Sequence, residues 1–227
     1  QEPAMKRIPA GLWAYLIVLL NFGFSHAWMS AINRANLQSL FYWIFIVAAI
    51  GLILFARRLH PAQDAALGGL AGLFLWAAIG EAGGAGELFE SPAIWGVVLV
   101  LTIFLTLRPG SRCDFHVWVQ KALGLYKAPN DSRHWYAPGT ALAFFWTVWL
   151  GHMAELTAYY NPNFGVHSWL TWVILIASSL ATPFIFILLW KTTDWAKAWG
   201  RAIPSVLITW MAIEILMKWE ILPKPWG

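Results

Sequence analysis

Two ionisable side chains, His152 and Glu155, stand three positions apart in the otherwise apolar run GTALAFFWTVWLGHMAELTAYY, Gly139–Tyr160. Residues i and i+3 share one face of a helix, so the imidazole and the carboxylate point the same way. The run is long enough to cross a bilayer, where an ionisable group is costly and marks a partner, a cofactor or water. Three further residues of the same kind lie in apolar stretches: His26 in NFGFSHAWM, Glu81 in GEAGGAGE and Glu214 in WMAIEILMK.

Two histidines and several carboxylates admit three chemistries. Opposed imidazoles from different helices, His26 and His152, fit the axial positions of haem b, with Trp149 on the same face as His152 as a stacking wall. Neutral imidazoles with carboxylates, His26, His152, Glu155 and Glu81, also suit a transition metal ion such as zinc, iron or copper. His152-x-x-Glu155 resembles half of a carboxylate-bridged metal motif, although the pattern is not repeated in the chain. Alternatively, Glu81, Glu155 and Glu214 serve a proton- or cation-coupled transporter by titrating as solute passes. Each residue also has a plain structural role open to it. His26 can bond a backbone carbonyl at a helix end, Glu81 can be solvated, and His152 and Glu155 can bond each other or a neighbouring helix. Glu214 stands four residues before Lys218, the favourable order for an intrahelical pair.

The elements that must position these residues follow from composition. The 227-residue chain is 59% hydrophobic and 11% charged, with net charge +4. Soluble domains carry roughly 25% charged residues, so this is an all-α integral membrane protein. In such a protein the basic excess reflects residues retained at the cytoplasmic face, and no nucleic-acid partner is implied. The single cysteine, Cys113, excludes an internal disulfide and any cysteine-based cluster. P-loop, dinucleotide, GxSxG and HExxH patterns are absent from the sequence, and span 7 has no mid-depth lysine for a retinal Schiff base. The first apolar run is too long, and lacks the small-residue site, for a cleavable signal peptide.

Hydropathy predicts seven spans in one polytopic domain over 1–227: about 9–30, 38–56, 65–83, 92–108, 138–160, 168–190 and 203–221. The glycine-rich third crosses fully or is short and re-entrant. With seven spans, Arg34, Lys218 and Lys224 fall on one side and every other Lys and Arg on the opposite side. That asymmetry makes the N-terminus cytoplasmic and the C-terminus external, in what reads as a bacterial inner membrane. The long cytoplasmic loop at about 109–137 contains CDFHVWVQKALGLYK, with Phe115, Val119, Ala122 and Leu123 on one side, an amphipathic interfacial helix or a docking surface for a partner membrane subunit.

At about 1.5 Å of rise per residue, His26, Glu81, His152, Glu155 and Glu214 all fall roughly 3–10 Å into the outer half of the membrane. Spans 2, 4 and 6 contribute no ionisable group at that level. The expected function is a membrane-embedded redox or metal-dependent subunit with one His/Glu site, the transporter and a purely structural or assembly subunit being the alternatives. Seventeen tryptophans complete the picture. Most sit near span ends as an aromatic belt, while Trp76, Trp146, Trp149, Trp172 and Trp210 lie deeper, packing between helices or stacking on a flat cofactor. Gly68 and Gly72 form a GxxxG close-packing signal.

Overall fold

The computed structural model describes residues 8–56, 58–78, 96, 99–104, 114–126, 136–160 and 164–223; within these, the side chains of His26, Trp149, His152, Glu155 and some others are not described. The described residues form helices and short connections: α1 (Ala10–Arg34), α2 (Gln38–Ala56), α3 (Pro61–Trp76), α4 (Asp114–Ala122), α5 (Tyr136–Tyr160), α6 (Trp169–Trp190) and α7 (Trp195–Lys218). Four of them, α1, α2, α6 and α7, are long and apolar enough to cross a membrane, and α5 contributes an apolar segment over Ala137–Val148. These helices do not map one-to-one onto the expected spans, because α4 belongs to the 109–137 loop. The expected fourth span lies largely outside the described residues, which are helical at 96 and 99–104.

Capping chemistry moves two boundaries away from the hydropathy limits. The His60 imidazole accepts the Ala62 N–H at 3.4 Å and Pro61 occupies the first helical position, so α3 starts before 65. A wide π-helical turn follows at 77–78. Asp194 likewise accepts the Ala196 N–H at 2.8 Å and starts α7 at Trp195 rather than near 203. The polar first turns survive because Lys197 stays exposed and half-buried Arg201 reaches back to the Thr192 hydroxyl at 3.0 Å.

α7 is the hub. It packs against α1, α3, α5 and α6, and its buried residues, including Ala198, Ala202, Val206 and Ile215, extend along most of its length. Its polar positions Arg201, Ser205 and Thr209 recur every four residues, on one face. Ser205 Oγ donates to the Arg201 carbonyl at 2.6 Å, and Tyr15 of α1 shares a 2.7 Å hydrogen bond with Thr209 Oγ1. Pro183 in α6 has no N–H for the ladder, and one turn back Thr182 donates its hydroxyl to the Ser178 carbonyl at 2.8 Å.

α3 and α5 make the closest approach. The GxxxG pair faces α5: a Cβ on Gly68 would overlap the Ala137 backbone, and one on Gly72 would stand 2.7 Å from Phe144 Cβ and 2.8 Å from the Ala141 carbonyl. The signal therefore serves packing within the chain. At the end of this contact the fully buried Asp64 carboxylate accepts the Ala137 N–H at 3.0 Å, in the first turn of α5. It lies at the N-terminal ends of two helices at once, where both dipoles favour negative charge.

Pairwise contacts set the helix directions. Asp64 with Ala137 and Gly72 with Phe144 make α3 and α5 parallel. Thr140 near Gly69 and Ile203, followed by Gly151 near Met211, make α5 and α7 parallel. The Gly11 N–H donates to the Thr192 carbonyl at 2.9 Å, and Phe22 meets Trp210, so α1 runs the same way. α2 is antiparallel to α3, through Phe45 stacked on Phe74 and Ala49 beside Ala71. α6 is antiparallel to α7, whose end receives Val166 through the Trp219 indole at 2.7 Å.

Two outcomes test this packing. Gly72→Val should cost about 1–3 kcal/mol by overpacking, read as a lower unfolding midpoint in detergent. Asp64→Ala should cost about 1–3 kcal/mol, because it strands a buried N–H, while Asp64→Asn should recover part of that loss.

Candidate polar layer

The sequence-predicted residues divide into those whose backbone is described and one that is not. Glu81 lies outside the described residues. Positions 26, 152 and 155 belong to α1 and α5 and are placed by backbone register, while Glu214 is half-buried in α7.

On α1 the buried residues Tyr15, Phe22 and Met29 recur every seven positions, and position 26 lies on that same stripe. On α5 the buried stripe runs through Ala141, Phe145 and Val148, which position 152 continues. Position 155 falls between Gly151, which faces Met211, and Ala158, which packs with Ile215. It therefore sits where α5 meets α7, at the level of residues 212–214. Phe22 touches the Trp210 ring at 5.2 Å, so position 26, one turn later, reaches the same level on α1. Met29 and Ile32 next meet Ala77, which brings the end of α3 alongside.

Positions 26, 155 and 214 thus share one level and the interior side of three helices, with 152 one turn from this level. They do not converge equally. α5 packs directly on α7, whereas α1 and α5 make no direct packing contact among the described residues and meet through α7 and α3. The approach of position 155 to α7 near 214 is therefore the tightest part of the layer, while position 152 continues the stripe of Phe145, which packs with Ala78 and α2. No group of three or more His, Cys, Asp or Glu side chains within reach of one metal ion occurs among the described residues.

The tryptophans that are described act in packing. Trp76 is buried in the main core, Trp210 meets Phe22 edge-on, and Trp146 Nε1 donates to Thr102 Oγ1 at 2.9 Å. Trp172 is shallower than expected, in the first turn of α6 and against Trp219 at 4.6 Å. Trp13, Trp28, Trp43, Trp169, Trp190 and Trp195 are exposed near helix ends, the arrangement of an aromatic belt. Trp149 is outside the described side chains. Of the histidines in connections, His60 caps α3 and His167 stacks on Trp219 at 5.6 Å.

The described part of the expected amphipathic helix is α4, packed on α5 and α7. Gln120 is buried while Trp118, Ala122, Leu123, Leu125 and Tyr126 are exposed. Exposed apolar and buried polar side chains invert the pattern of a soluble helix and suit an interfacial one. Phe115 and Val119 are outside the described side chains.

Sequence reasoning passed over Asp64 and the Tyr15–Thr209 pair. Asp64 carried a signal, an acidic residue just after a proline at the head of an apolar run. The hydroxyl pair carried none, because its partners are far apart in the chain. Comparison with protein-family models, curated proteins and solved structures returns no match, so the reading of this layer stands on its own geometry.

The Tyr15–Thr209 hydrogen bond clamps α1 to α7 below the layer. A double-mutant cycle of Tyr15→Phe and Thr209→Val should give a coupling of about 0.6 kcal/mol, the usual size between membrane helices. Zero coupling would mean that the two hydroxyls do not meet.

Proposed function

We propose that this is a polytopic inner-membrane subunit of a redox or metal-dependent system, with one His/Glu site in the outer half of the bundle. The observation that carries the reading is the shared level of positions 26, 155 and 214 on the interior sides of α1, α5 and α7. His152, Glu155 and Glu214 form the nucleus of the site, and His26 and Glu81 are its further ligands. Neutral imidazole with carboxylates suits a transition metal ion. Haem b between His26 and His152 is the other occupant considered, and it needs the space that separates α1 from α5. In either case Glu155 charge-balances or orients the group from the same side of α5 as His152.

Seven spans with the N-terminus inside fit the same reading. α3 ends at the far side of the bundle and α5 starts again at the near side. The segment between them must recross, and its apolar stretch at 92–108 is long enough to do so. The exposed side chains of α4 and the residues after it then lie at the cytoplasmic interface, in contact with lipid and available to a partner membrane subunit.

A visible spectrum and metal analysis of the purified protein test the site. Bound haem or a transition metal ion at near one per chain is expected, reduced at least tenfold in His152→Ala, a loss of about 1.4 kcal/mol or more. A colourless, metal-free protein would sink this reading. A transporter is the second reading, favoured by position 155 lying against α7 near Glu214 and by prolines inside α6 and α7. It predicts instead that Glu155→Gln abolishes solute-linked proton movement in vesicles while the fold persists.

A further inference from the structure

α1 and α3 both pack on α7, yet within Pro61–Trp76 α3 makes no direct packing contact with α1, and only Ala77 beyond its end meets Met29 and Ile32. The gap between them is a cleft of about 250 Å³. Val18 and Phe22 of α1, Leu70 and Leu73 of α3, and Ile203 of α7 line it, with Phe144 of α5 reaching in from behind. Its one side-chain amide, Asn21, donates to the Ile17 carbonyl at 2.8 Å in its own helix. Gly69 keeps the floor open, since a Cβ there would approach Ile203 Cδ1 to 3.2 Å.

The cleft is separate from the polar layer. Residues 17–22 of α1 and 199–203 of α7 belong to the first halves of their helices, measured from the end shared by Gly11 and Thr192, and position 26 of the layer comes about one turn beyond Phe22. Ile17 of its lining is itself exposed, so the cleft opens onto the outer apolar surface. Leu20 and Phe24 are exposed on the α1 side, and Val47 and Ile50 are exposed on α2, which packs beside α3.

We infer that this cleft is a lateral site for one acyl chain of a bilayer phospholipid, entering between α1 and α3. The inference rests on the membrane reading alone and not on the His/Glu site. Water has almost nothing to bond there, and apolar cavities of about 150 Å³ stay dry and take apolar guests. This cleft is larger and opens sideways onto hydrocarbon, so the guest at hand is a chain. A headgroup or a polar solute would find no charged partner in the lining. A chain held here also replaces the packing contacts that α1 and α3 do not make with each other, joining the α1 side of the bundle to the α2–α3 side.

The test uses the full protein reconstituted in phospholipid vesicles doped with a phospholipid bearing a diazirine midway along one acyl chain. After illumination, adducts are mapped by peptide mass spectrometry. Val18, Leu70 and Leu73 are expected to be labelled about fivefold more per residue than Val47 and Ile50 of α2, which report ordinary annular lipid. Ala66→Phe and, separately, Val18→Trp fill the cleft and should bring its labelling down to the α2 level, with α2 labelling unchanged. The wild-type map stands even where a filled variant fails to fold. Equal labelling of the cleft and α2 would overturn the site, as would cleft labelling that survives both fillings in folded protein. An isoprenoid diazirine that labels the cleft where the acyl probe does not would overturn phospholipid as the occupant.

Discussion

Hydrocarbon supplies no hydrogen-bond partner, so every backbone donor and acceptor in this bundle must be answered from within the chain. The helices satisfy most of them, and the exceptions explain the polar residues. Thr182 and Ser205 add a second hydrogen bond to the carbonyls four residues back, beside Pro183 and Pro204. Asp64 answers a first-turn N–H of α5. Asp194 and His60 do the same for α7 and α3. The capping groups stand at helix ends, where the helical ladder is open, while others donate back within a helix, as Thr147 does to Ala143 and Thr209 to Ser205.

Close packing supplies what hydrophobic burial cannot, since lipid tails are as apolar as leucine. The small faces of α3 and α5 meet through Gly68, Gly72, Ala137 and Ala141. α7 meets its neighbours through Ala198, Ala202 and Ser205. The large aromatic side chains are correspondingly displaced to the rim, where Trp28, Trp43 and Trp169 are exposed. α1 has fewer small residues facing α3, and between those two helices the packing opens.

Much of the fold was legible in the chain. Apolar run length located α1, α2, α5 and α6 to within a few residues, because a span leaves a long uncharged signature. The boundaries of α3 and α7 were less legible, since both begin in polar turns held by a side-chain cap that hydropathy averages away. The GxxxG pair announced close approach but not its partner; only the structure identifies Ala137 and Ala141. For the polar layer, the common level expected for His26, Glu81, His152, Glu155 and Glu214 came from counting rise along spans that run the same way. Adjacency did not follow. Helix rotation and neighbour choice depend on packing against residues remote in sequence, so the separation of α1 from α5 had no local signal. Trp172 shows the same effect on a small scale, as an apparently deep ring that the helix start brings to the rim.

The centrality of α7 has a consequence for assembly. Every other described helix precedes it in the chain, yet all of them except α2 pack against it. Earlier helices enter the bilayer before their common partner exists, and during synthesis Tyr15 must wait without Thr209. In a two-stage view of membrane folding, insertion and association are separate events. Part of the second stage can precede α7, since α3 packs on both α2 and α5, but α1 and α6 gain their main partner only once α7 has entered.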